Sequence, residues 1–162
     1  MNATVAQESP AVSSAPVKIT LERAHLLRAL GHVQSVVEKR GTIAVLSNVK
    51  IEADGEHVSF TATDMDIAMV EKVPATVAQG GVTTMPAHML YEIVRKLPDG
   101  AQVEITQSDD GSKASVRSGQ SRFSLACLPV DEFPVMAEEN LDHKFKLTSE
   151  QCSALIEKPS FA

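Results

Sequence analysis

Asp64 and Asp66, in the run Thr63-Asp64-Met65-Asp66, have the spacing of a metal-binding acid pair. The same spacing suits a turn between strands in which the Asp side chains bond to nearby backbone, and that is the expected role. Cys127 and Cys152 lie far apart with no CxxC arrangement. The five histidines (His25, His32, His57, His88, His143) form no HxxxH pair with an acid between them. A metal centre therefore has no ligand spacing to rest on. Ser118-Gly119-Gln120-Ser121 lacks the GxSxG pattern, and Gly80-Gly81 and Gly119 build no phosphate loop of the GxxxxGK[ST] or GxGxxG kind. Nucleophilic catalysis, a metal and a nucleotide cofactor are all without a visible site.

The chemistry that remains belongs to cations. With 100° per residue, Leu26, Leu30, Val33 and Val37 gather on one side of a helix over residues 21–37, with Arg28, His32, Ser35 and Lys39 nearly opposite. A second helix, over residues 86–97, sets Met89, Leu90, Ile93, Val94 and Leu97 against His88, Glu92, Arg95 and Lys96. Residues 21–40 and 86–97 together hold six Lys and Arg against three Asp and Glu, which leaves nine against eighteen elsewhere. Positive charge gathered on two helices of an acidic protein suits a polyanion held through its phosphates without base reading. The competing reading is a pair of ordinary solvated helix faces, whose contacts salt would screen in any case.

These helices must be carried by strands. Residues 17–20 read as a short strand, with Thr20 a plausible N-cap for the helix that follows. From residue 45 the period changes to two, giving strands over 45–53, 57–63 and 67–73, the first pair joined at Asp54-Gly55. Gln79-Gly80-Gly81 breaks the pattern before a strand at 82–85. Pro86 suits the first turn of the second helix, which Pro98-Asp99-Gly100 stops. Strands over 101–106, 113–117 and 122–127 follow, then a proline-containing acidic stretch over 128–143 that reads as a linker. Lys146-Leu147-Thr148-Ser149-Glu150 then echoes Lys18-Ile19-Thr20-Leu21-Glu22 at an offset of 128 residues, as a domain-sized repeat would at its start.

The 162 residues have room for one ordinary domain with a fragment of another. A net charge of −6 with 43% hydrophobic and 22% charged residues is globular composition, not that of a disordered chain. Aromatics at 4%, with no Trp, leave few candidates for a base-stacking surface. No apolar run reaches the ~18 residues of a membrane span. Residues 1–16 have no signal-peptide pattern and are expected to form a flexible tail. With only two cysteines, 25 residues apart, a reducing cytoplasmic setting is the expectation.

Residues 17–30 (VKITLERAHLLRAL), Val45-Leu46-Ser47-Asn48, residues 61–66 (TATDMD), residues 93–100 (IVRKLPDG), residues 117–125 (RSGQSRFSL), Leu128-Pro129 and Phe133-Pro134 resemble the N-terminal domain of the bacterial sliding clamp family, the beta subunit of DNA polymerase III. The resemblance is continuous over about residues 17–136 and extends into 145–162. It implies an α+β fold of the DNA-clamp type, two helices packed on antiparallel β-sheet, with the helices facing DNA in an assembled ring. Its implied domains are a tail (1–16), a clamp N-terminal domain (17–136), and a linker with a truncated start of a second clamp domain (137–162).

The implied activity is non-enzymatic: a DNA replication processivity factor that encircles duplex DNA and tethers the polymerase. An alternative is an interaction protein that caps a complete clamp and blocks its assembly. No cofactor is implied. Complete clamp subunits are the expected protein partners, with DNA polymerase III and the clamp loader serving the full-length parent. Arg40 matches a basic residue of the family's DNA-facing surface, and Arg28, Lys39, Arg95 and Lys96 join it as candidate DNA contacts. Arg122, Phe123 and Leu125 match the edge where subunits meet, although both apolar residues would also suit an ordinary strand. Three departures stand out. Ala44 and Gln120 replace an expected proline and arginine, and Pro159 should end the last helix near Lys158. Most of the second domain and all of the third, with the family's pocket for partner peptides, are outside this chain, so a truncated subunit is the expectation.

Overall fold

A computed structural model of the chain describes residues 15–37, 42–134 and 145–159. The candidate contacts Lys39 and Arg40, most of the expected tail, and residues 135–143 of the linker expected over 128–143 lie outside the described residues.

The elements run β1 (Lys18–Glu22), α1 (Arg23–Val33), a 3-10 turn (Ala44–Ser47), β2 (Asn48–Asp54), β3 (His57–Thr63), β4 (Ala68–Pro74), β5 (Thr76–Gln79), β6 (Gly81–Pro86), α2 (Ala87–Lys96), β7 (Gln102–Gln107), β8 (Lys113–Ser118), β9 (Ser121–Ala126), a 3-10 turn (Val130–Glu132) and α3 (Ser149–Glu157). The expected α+β architecture is present, with two antiparallel sheets. One has the strand order β4-β3-β2-β6 and the other β5-β1-β7-β8-β9. A strand, a helix and three meandering strands thus occur twice, as β1-α1-β2-β3-β4 and β6-α2-β7-β8-β9. Each unit sends its leading strand into the other's sheet, β1 onto β7 and β6 onto β2. Neither sheet is complete without both units, so the exchange ties them into one cooperative body.

Alternation explains what each strand buries. Ile19 and Leu21 of β1, Val49, Ile51 and Ala53 of β2, Val58, Phe60 and Ala62 of β3, Val103 and Ile105 of β7, and Ala114 and Val116 of β8 all point into one shared core. α1 adds Leu26, Ala29, Leu30 and Val33, and α2 adds Ala87, Leu90 and Val94. α1 packs over β3 and β4, and α2 beside it over β2 and β6.

Several boundaries differ from the sequence reading. β1 continues past Thr20 to Glu22 because its ladder with β7 runs to the Glu22–Gln102 pair. The Arg23 amide then bonds the Ala101 carbonyl at 2.9 Å, so Glu22, not Thr20, sits at the N-cap, without a side-chain cap bond. Val45 and Leu46 are neighbours and both buried. They lie on the 3-10 turn, and β2 starts only at Asn48. Pro86 is the N-cap of α2 rather than its first helical residue.

β5 was not expected. It pairs with β1 before the chain turns at Gly80, where an added Cβ would come within 2.9 Å of the Ala53 carbonyl oxygen. The stretch after β9 is not a linker from residue 128. The Thr84 hydroxyl donates to the Leu128 carbonyl (2.8 Å) and accepts from the Leu128 amide (3.1 Å) and the Asn48 side-chain amide (3.0 Å). Phe133 is buried, with the Lys50 ammonium 6.0 Å from its ring centre. α3 has a capping box, in which Thr148 and Gln151 satisfy each other's backbone amides. It ends at Glu157, two residues before Pro159. All of its residues are exposed, Leu155 and Ile156 included.

Candidate nucleic-acid interface and free sheet edge

α1 and α2 lie side by side and antiparallel. Gln34 Oε1 at the end of α1 is 3.2 Å from His88 Nδ1 at the start of α2, and the Gly31 Cα faces the Tyr91 ring midway. At the other end Arg23 reaches from the first residue of α1 to the last turn of α2. Its Nε–H donates to the Val94 carbonyl (3.1 Å), one terminal nitrogen donates to the Arg95 carbonyl (3.0 Å), and the other pairs with Asp99. The Val94 carbonyl also accepts from the Leu97 amide at 3.2 Å, so the guanidinium adds a second donor there and meets the negative end of the α2 dipole. With a side chain only 13% exposed, Arg23 is a staple between the helices rather than a cation for a ligand. His88, expected on the solvent face, lies against α1 instead. Its Nε2 is buried without a hydrogen-bond partner.

The outer side of the pair presents the remaining charges. Arg28 Nε lies 3.9 Å from Glu71 Oε1, and His32 Nδ1 lies 3.3 Å from Glu71 Oε2. Arg95 is bonded to Glu92 one turn earlier at 2.8 Å. Lys96 is exposed and has no carboxylate within ion-pair distance among the described residues. The structure therefore brings Arg28, Arg95 and Lys96 onto the exposed surfaces of two adjacent helices. It adds one group that helical periodicity could not reveal, the Glu71 carboxylate from β4. Strand alternation, which puts Met69, Glu71 and Val73 on one face of β4, is the only sequence signal for it. Exposed ion pairs of this kind contribute little to stability and exchange readily with other charges. The surface can hold phosphates loosely, and the described amide and aromatic side chains of the helix pair, Gln34 and Tyr91, face His88 and Gly31 between the helices.

A second candidate surface is the edge of the larger sheet. β9 pairs only with β8, so its outer backbone groups have no strand neighbour among the described residues. The Arg122 Nε–H donates to Ser115 Oγ at 3.1 Å, which lays the guanidinium along the sheet surface. Phe123, opposite Val116, keeps 38% of its surface exposed. Leu125 differs from the other two. It is 4% exposed, sits opposite Ala114 and belongs to this chain's own core, so the edge presents Phe123 and Arg122 with Leu125 behind them.

The Asp64 carboxylate accepts from the amides of Asp66 (3.0 Å) and Ile67 (2.8 Å), which makes the acid pair the expected turn. No group of three or more His, Cys, Asp or Glu among the described residues can hold a metal ion. Cys127 is buried, which pushes its thiol pKa up and disfavours the reactive thiolate. No helix among the described residues is long and apolar enough to cross a membrane.

The family model for the DNA polymerase III beta subunit, N-terminal domain, matches residues 17–137. The beta sliding clamp of Caulobacter vibrioides is 47% identical over 146 residues, which is 90% of this chain and 39% of that protein. A crystal structure of the C. crescentus beta sliding clamp superposes with a TM-score of 0.75 at 50% identity, over 78% of this chain and 34% of that one. The DNA polymerase III subunit beta of Pseudomonas aeruginosa gives a TM-score of 0.80 at 33% identity, over 86% and 38%. The chain thus spans well under half the length of these relatives.

Proposed function

The chain belongs to the family of the DNA polymerase III beta subunit, through its N-terminal domain, and on that premise we propose that it acts as one domain of a sliding clamp. Its work is non-catalytic: it contributes to a ring around duplex DNA that keeps a polymerase on its template. The observation that carries this reading is the antiparallel helix pair, whose exposed sides bear Arg28, Arg95 and Lys96. Lys39 and Arg40, just beyond α1 in sequence, extend the same set. Phosphate contacts that exchange readily let a ring slide, and the ring's topology prevents escape.

Residues 17–136 form the clamp domain in this reading, residues 1–16 a tail, and residues 137–162 the linker and the opening of a second domain. DNA polymerase III and the clamp loader are partners of the longer subunit, in the cytoplasm. The test is fluorescence anisotropy with two duplexes of unrelated sequence, titrated with salt. Weak, equal binding to both, with log K falling by ~0.9 per phosphate contact against log salt, supports the proposal. Absence of binding at low salt, or preference for one sequence, overturns it.

One observation favours a second reading. Phe123 is part-exposed on a strand with a free edge, so Arg122 and Phe123, backed by Leu125, can dock onto a complete clamp subunit and cap it. Light scattering on the mixture would show a one-to-one complex that Phe123→Ala abolishes. Separate, unchanged peaks would refute capping.

A further inference from the structure

Glu71 projects from β4 onto the exposed side of α1, and its two oxygens address two basic groups. Oε1 lies 3.9 Å from Arg28 Nε and Oε2 lies 3.3 Å from His32 Nδ1. The carboxylate side chain is 25% exposed, while the Arg28 and His32 side chains are 58% and 56% exposed. The acid is thus the more enclosed member, fixed on a strand by the Glu71–Phe60 register pair, and the bases extend past it toward solvent. At 3.9 Å the carboxylate and the Arg28 guanidinium form an ion pair without a hydrogen bond, and a phosphate oxygen would compete for the same positive charge. Arg95 is paired differently, with an acid of its own helix, and Lys96 has no pair among the described residues. The cations of this surface therefore differ in how freely they can be given to a ligand.

We propose that Glu71 is a built-in competitor for phosphate that holds Arg28 on the protein and so loosens this face's grip on nucleic acid. The inference rests on the DNA-facing role given to α1 and α2 above. Each phosphate that approaches Arg28 must displace a carboxylate already in place, and must also approach that carboxylate's negative charge. Glu71 touches no ligand in this account. It is a positioning residue whose effect is exerted through Arg28.

The test is a double-mutant cycle on duplex-DNA affinity, with wild type, Glu71→Gln, Arg28→Ala and the double variant titrated over a range of salt concentrations. Glu71→Gln should tighten binding about three- to tenfold at ~50 mM salt and steepen the salt slope by ~0.9, the value for one phosphate newly neutralised. In the Arg28→Ala background most of that gain and the whole slope change should vanish. Glu71→Ala, which removes the carboxylate without adding an amide, should behave as Glu71→Gln does, and thermal unfolding of each variant verifies an intact fold.

A gain that persists undiminished without Arg28 would mean simple repulsion between Glu71 and DNA and would overturn the proposal. So would unchanged affinity in Glu71→Gln while Arg95→Ala/Lys96→Ala weakens binding, a result that leaves the DNA-facing reading standing. Failure of wild type and Glu71→Gln alike to bind at low salt overturns both.

Discussion

The two halves of the domain repeat one order of elements, strand, helix and three strands, but control the charge on their helices in different ways. In the first half the acid that meets Arg28 and His32 of α1 comes from β4, 43 residues after Arg28 in the chain. In the second half the acid that meets Arg95 is Glu92, one turn back on α2 itself, and Lys96 is left unpaired among the described residues. A local pair is legible from helical spacing, whereas a tertiary pair exists only once the sheet is built. One architecture can therefore present surfaces of similar composition and unequal availability. Arg23, the cation that joins the halves, is taken out of the surface altogether by the end of α2.

The severest way to break the partnership of the halves is to attack the exchanged strand. Ile19 is fully buried on β1, between Val77 of β5 and Ile105 of β7. Ile19→Ala should cost ~2–5 kcal/mol. Because β1 belongs to one unit and pairs in the other's sheet, urea unfolding followed by circular dichroism and by Tyr91 fluorescence should stay coincident. Separate transitions would mean that the halves are independent.

Removal of the staple comes next. Arg23→Ala removes the bond to the Arg95 carbonyl and one of two bonds to the Val94 carbonyl, which keeps the Leu97 amide at 3.2 Å, and should cost ~1–3 kcal/mol. Arg28→Ala, which breaks only an exposed pair, should cost at most ~1 kcal/mol. Chemical denaturation of the two variants side by side checks the order, and equal losses would contradict it.

Availability of cations sharpens the contrast further. Lys96→Ala should lower the salt slope of DNA binding by ~0.9, the full worth of one phosphate contact. Arg28→Ala should lower it by less, because Glu71 already occupies that side chain. Salt titration by anisotropy distinguishes the two.

The smallest effect concerns acid. Asp110 in the β7–β8 turn accepts hydrogen bonds from the Ser108 hydroxyl (2.6 Å) and from the Ser112 amide (3.1 Å) and hydroxyl (2.9 Å), which hold its carboxyl down to about 2. A folded-state value below the unfolded one means that the contribution is complete above about pH 4 and is lost as pH falls through about 2. NMR titration should find the Asp110 midpoint near 2, with the 108–112 turn loosening in that window. The β2–β3 turn, formed by Gly55 at φ 58° with Glu56, has no such carboxylate network among the described residues and should not change with it.

Much of this fold was open to reading because its punctuation is local. Pro86 and Pro98-Asp99-Gly100 bracket α2, Asp54-Gly55 and Ser118-Gly119 mark two hairpins, and the Val, Ile and Phe alternation of β2, β3 and β8 sets their inward faces. What escaped depends on distant partners. β5 has only four residues and one half-buried apolar side chain, Val77, and it is a strand because β1 lies beside it. The internal duplication has only a short sequence echo, Ala24-His25-Leu26-Leu27 against Ala87-His88-Met89-Leu90, and the repeated element order with β1 and β6 crossing between sheets is what shows it.

The acidic, proline-containing run after β9 looks like a linker, yet Thr84 ties Leu128 down and Phe133 is buried. On the candidate surfaces, helical spacing sets Arg28, Arg95 and Lys96 outward but also sets His88 outside, and for Glu71 the alternation of β4 gives its face without its partners on α1. At the edge, a period of two groups Phe123 with Leu125. Only the finished core separates a part-exposed Phe from a buried Leu.

The central claim, that the α1–α2 face is where duplex DNA lies, is tested most directly by NMR of the isotope-labelled chain titrated with a short duplex at low salt. The account predicts amide shifts concentrated on the exposed sides of α1 and α2, at Arg28, Arg95 and Lys96, and their reversal by added salt. Shifts centred on the sheets, around Lys18 or Lys113, with these helices unperturbed, would contradict it.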